Sequence, residues 1–133
     1  MDQKLSQQIS NFLSMTDQAQ KSYKWSQEEI QRLDLLTQDY LHMLELQDSN
    51  YHKRAQIAAA LRQCRITRRH HKDNILFLEP LIILLDSDKG KMMVSQLQQT
   101  LGAVRKAERS TNDRHYTPRV LSSEEYENMQ FLS

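Results

Sequence analysis

SQEEIQRLDLLTQDYLHMLELQDSN, residues 26–50, runs into YHKRAQIAAALRQCRITRRHHK, residues 51–72, and the pair reads as two helices joined by a polar turn. Ser26 with Glu29 three residues on has the form of a capping box, in which hydroxyl and carboxylate each satisfy a free backbone N–H at a helix start. From there to about Gln47, at about 100° per residue, Ile30, Leu33, Leu36, Tyr40, Leu41, Met43 and Leu44 fall on one broad face. Glu28, Asp34, Asp39 and Glu45 stay mostly outside it. Leu35 and Leu46 point away from that face, so a second packed surface is expected, within the bundle or between protomers. Asp48, Ser49 and Asn50 break the pattern and offer N-caps, so the next helix is expected to turn back antiparallel.

That second helix is predicted from about Tyr51 to Leu78 and carries two stripes. Arg54, Arg62, Arg65, Arg68, Arg69 and Lys72 lie within roughly 120° of arc and form a basic ridge. Ile57, Ala60, Leu61, Cys64, Ile75 and Leu78 lie on the neighbouring arc and pack inward, while the run Ala58 to Ala60 keeps the helix slim. Pro80 lacks a backbone donor and disfavours helical geometry at Glu79, so a kink or a restart is expected there. Leu81 to Leu85 then reads as a short buried segment. Asp86 or Ser87 caps a further helix, whose single stripe of Met93, Val94, Leu97, Leu101, Val104 and Ala107 ends near Arg109. Arg105, Lys106 and Arg109 suit the negative end of its dipole.

The flanks read more weakly. Leu5, Ile9, Phe12 and Leu13 have helical spacing in a Gln- and Ser-rich setting, which predicts a short, weakly anchored helix. After Ser110 the periodicity stops; Arg114 to Leu121 reads as extended around Pro118, and the tail from Ser122 to Ser133 as mobile, with Tyr126, Met129 and Phe131 available to a partner. The expected organisation is therefore an all-α small helical bundle on a long antiparallel hairpin. It divides into a weakly anchored N-terminal helix (residues 1–25), a bundle core (26–109) and an extended or disordered tail (110–133).

Composition supports that class. The 133 residues are 38% apolar, enough for one modest core, and only two Gly and two Pro leave little material for hairpin turns. A lone Cys64 cannot form an internal disulfide and no apolar leader opens the chain, so a cytoplasmic setting is expected. Ile75 to Leu85, the most apolar window, is about half the roughly 20 residues a membrane helix needs, so no membrane partner is expected.

Catalytic signatures are missing. Gly90 and Gly102 are isolated, so neither a P-loop nor a dinucleotide fingerprint can form. Cys64 and His71, seven apart, share a face, yet lack both the further ligands of a zinc site and the oxyanion-forming turn of a thiol enzyme. Met43, Met92 and Met93 read as adaptable core filler. A non-enzymatic protein is expected, with no cofactor, no metal and no small-molecule substrate.

The ridge is the feature left to carry function. Residues 49–72 hold seven Lys or Arg and no acid in a chain whose net charge is +1. Charges on a helix are ordinarily a solvated face or partners of a neighbouring acidic helix. Here Arg outnumbers Lys five to two and no acid lies one turn away within the span, which favours a phosphate or carboxylate partner. No helix-turn-helix is present, so such contacts would be blind to base sequence.

Tyr51-His52-Lys53-Arg54-Ala55, Arg68-Arg69-His70-His71-Lys72-Asp73, Leu78-Glu79-Pro80-Leu81, Leu101-Gly102-Ala103-Val104-Arg105-Lys106 and Tyr116-Thr117-Pro118-Arg119, taken in order, resemble small helical proteins encoded by phages and prophages of Gram-positive bacteria. The resemblance spans about Leu33 to Val120 and contains no catalytic signature. It implies an early phage product acting on nucleic acid or on host machinery, and no residue roles come with it. Three expectations follow. The ridge contacts nucleic acid, alone or in a nucleoprotein; or the acidic face with Asp34, Asp39 and Glu45 mimics nucleic acid in an inhibitor of a host defence nuclease, of the anti-CRISPR kind; or the chain is a structural oligomerisation module, with a helical homodimer as one form.

Overall fold

Positions seven apart explain how the first two helices meet. Ala19, Ser26 and Leu33 are buried on one helix, and Ile57, Cys64, His71 and Leu85 on the other. A seven-residue repeat holds one seam of a helix against its neighbour over many turns. The computed structural model describes residues 3–48, 50–114 and 119–130. Its helices are α1 (Leu5–Leu46), α2 (Tyr51–Asp86), α3 (Asp88–Asn112) and the short α4 (Ser123–Gln130), with no strand among the described residues. The chain is all-α, built on the α1–α2 hairpin.

Cross-helix contacts give the hairpin its direction. Cys64 meets Leu33, Arg68 meets Asp34, His71 meets Ser26 and Asn74 meets Ser22, so α2 descends as α1 rises. Asn50 caps α2 by accepting from the Lys53 N–H at 2.8 Å, as expected for that turn. Ser87 caps α3 by accepting from the Gly90 N–H at 3.0 Å. A Cβ on Gly90 would collide with the Leu84 carbonyl oxygen, so only glycine lets α3 start this close to the last turn of α2.

α3 packs on the N-terminal third of α1. Thr16 and Gln20 share a groove with Leu85, Lys91, Val94 and Gln98, while Ser6 at the start of α1 bonds Glu108 near the end of α3. The two helices are therefore antiparallel. Leu101 is buried on the expected α3 stripe, with Val94, Leu97 and Val104 half-buried beside it.

Four expectations are corrected. No helix starts at Ser26: α1 runs unbroken through it, and the side chain is 0% exposed within the seam, so residues 1–25 and 26–47 share one helix. Its hydroxyl serves a buried contact with α2 in place of a cap. The helix does not end near Leu78 or restart at Pro80, because α2 continues through the proline to Asp86. The ring lies on the outer face, where it crowds no packed neighbour, and the interhelical contacts on the opposite face carry the helix past it. Within Leu81 to Leu85 only Ile82 and Leu85 are buried, while Ile83 and Leu84 face outward. In the tail, residues 123–130 form α4, which makes no contact with α1, α2 or α3 among the described residues. The run around Pro118, the Tyr126 side chain and Phe131 lie outside the described residues. No helix among the described residues is long and apolar enough to cross a membrane.

Candidate nucleic-acid interface

Helical periodicity gives α2 two opposite faces. Ile57, Cys64, His71, Ile82 and Leu85 point into the bundle. On the other side, Arg62, Arg65, Arg69 and Lys72 are all exposed and fall within roughly 80° of arc. The ten steps from Arg62 to Lys72 rise about 15 Å, so the charges follow one another about every 5 Å. None of these four cations makes an ion pair among the described residues.

Two expected members of the ridge stand apart. Arg68 turns toward the seam, where its guanidinium Nε donates to Asp34 of α1 at 2.6 Å and its side chain keeps only 20% of its exposure. Absence of acids from residues 49–72 did not leave this arginine free, because the partner came from the other helix. Arg54 is exposed in the first turn of α2 and engages in an interaction of its own.

The expected acidic face does not assemble. Asp34 is tied to Arg68, and Asp39 lies about 140° around α1 from it. Glu45 shares the side of Asp34, three turns further on. Half-buried Glu29 pairs with Arg32 at 2.8 Å, and that hydrogen bond, with the guanidinium charge, holds its carboxyl below the ordinary value.

Behind the basic face lies a polar layer in the seam. Asn74 donates to the hydroxyls of Ser22 at 3.0 Å and Ser26 at 2.8 Å, and Ser26 pairs with His71 Nδ1 at 3.1 Å. Trp25 closes it, its ring edge-on to the imidazole with centroids 4.8 Å apart. A serine bonded to a histidine invites a catalytic reading, but the Ser26 hydroxyl is sealed from any substrate. Its evident work is to satisfy polar atoms and set register. Two turns away, Cys64 is buried and its thiol donates to the Leu33 carbonyl at 3.4 Å. Among the described residues no group of His, Cys, Asp and Glu is placed to hold a metal.

The outer face continues beyond the ridge in a way the sequence reading missed. Leu76, Phe77, Pro80, Ile83 and Leu84 follow Lys72 on the same side and are all exposed. The signal was available: Leu76 and Ile83 extend the seven-residue series of Arg62 and Arg69. Reading Leu81 to Leu85 as buried follows hydrophobicity alone and takes no account of the angle around the helix. Compared with protein-family models, with curated proteins and with solved structures, the chain matches none.

Proposed function

We propose that this chain binds the phosphate backbone of nucleic acid, alone or within a nucleoprotein, through Arg62, Arg65, Arg69 and Lys72 on the outer face of α2. One observation carries the reading: four exposed cations, without ion pairs among the described residues, share one face over about 15 Å. Three are arginines, whose planar forks suit phosphate oxygens. A straight ridge of this length spans about three or four phosphates of one strand and offers no element shaped to read base edges. The role is that of a non-enzymatic accessory protein of phage type, acting in the cytoplasm of its host, where a reduced Cys64 is at home.

The test is fluorescence anisotropy with short single- and double-stranded DNA and RNA. With about three or four phosphates neutralised, affinity should fall roughly 40- to 150-fold between 50 and 200 mM salt. Arg65→Glu/Arg69→Glu should abolish binding while leaving far-UV circular dichroism unchanged. Binding that ignores salt, or survives the double substitution, removes the ridge from the mechanism.

A further inference from the structure

Leu76 is 64% exposed, Phe77 76%, Ile83 65% and Leu84 49%, a contiguous apolar surface on a helix whose other face is already packed. Contiguous patches of this kind mark interaction sites. We propose that this half of the α2 face receives a second copy of the chain, antiparallel, about a two-fold axis beside Pro80.

The charges beside the patch select that occupant. Arg65, Lys72, Glu79 and Asp86 recur every seven residues along one edge of the face, two basic and then two acidic. A two-fold that crosses antiparallel helices brings the same edge of each together, end reversed, so the basic Lys72 of one copy can lie against the acidic Asp86 of the other. Centred beside Pro80, the axis sets Leu76 level with Leu84 of the second copy, Phe77 with its Ile83, and Lys72 with its Asp86, all within about one turn. Only Glu79, nearest the axis, meets its own copy, and there the pairing is repulsive.

The patch hides on the order of 500 Å² per copy, below the roughly 800 Å² of a standard stable interface, so the dimer forms with rising protein concentration. In this register the second copy's α2 ends level with Asn74. Arg62, Arg65 and Arg69 of both copies stay outside the α2–α2 overlap, and the dimer carries two basic zones pointing in opposite directions along one line.

Sedimentation equilibrium of the full chain, without nucleic acid, tests this independently of the proposed function. A monomer–dimer equilibrium at micromolar concentrations is expected. Phe77→Glu and Ile83→Glu, both at exposed positions, should give monomers with unchanged helicity. Lys72→Glu should weaken association about tenfold. The swap Lys72→Glu/Asp86→Lys should restore it, and Glu79→Gln should tighten it. A wild-type chain that stays monomeric, a dimer that survives Phe77→Glu, or a swap that fails to restore association overturns the proposal.

Discussion

Arg68 and Asp34 separate the cations that hold the hairpin from those that face outward. Their 2.6 Å contact is partly solvated, with the Asp34 side chain 47% exposed, so the pair contributes about 0.5 kcal/mol to stability. Asp34→Asn should lower the urea midpoint only slightly. It also removes a carboxylate beside the ridge and releases a fifth cation, so nucleic-acid affinity should rise severalfold and the salt dependence should steepen by about one phosphate. An unchanged salt slope would show that Arg68 cannot reach the outer face. Ser26 carries a larger share of the seam. Ser26→Ala leaves His71 Nδ1 without a partner in a buried setting while Asn74 keeps Ser22, so about 1–3 kcal/mol should be lost. Trp25, which contacts the imidazole, reports the unfolding by fluorescence. A midpoint equal to wild type would mean that the layer contributes register without stability.

The helix ends explain why elements and boundaries were unequally legible. Asn50 and Ser87 cap their helices through their own side chains, and both starts could be read from local residues. The start of α1 could not. Lys4 at its N-cap offers no side-chain bond; Glu108, more than a hundred residues away, accepts from the Ser6 N–H at 3.2 Å and its hydroxyl at 2.7 Å. A carboxylate there also complements the positive end of the helix dipole. Ser26 read as a helix start and Pro80 read as a restart misled for a related reason: each is a strong local signal overruled by packing along the α1–α2 seam. The Ser6 bonds hold the Glu108 carboxyl below its ordinary value. A depressed carboxylate stabilises the fold above the unfolded-state pKa, and that contribution fades as pH falls through the folded-state value. Amide exchange of residues 5–9 should therefore accelerate on acidification beyond the intrinsic rate change, and Glu108→Gln should abolish the excess. Equal protection across the carboxylate range would show that Glu108 does not hold this end.

α1 is the spine on which the other two long helices are hung, and the load is uneven. Contacts between α1 and α2 far outnumber those of α3 with either helix, and α3 buries only Gly90 and Leu101. The all-α hairpin was legible because both seams repeat through long, Gly-poor segments. Where α3 would dock was not, because its stripe fits either neighbour and the choice falls to the close turn at Gly90 and the distant pair Ser6–Glu108. Regions with few buried side chains open at lower free energy than those with many. Native-state hydrogen exchange should thus find α3 and the first turns of α1 exchanging through a shared partial opening, while residues 26–46 and 57–85 exchange together near the global unfolding free energy. Both the basic and the apolar halves of the outer face lie on that second, tightly held unit, so they keep their spacing while α3 comes and goes. Exchange of α2 at the same low free energy as α3 would show that the seam does not hold the face rigid.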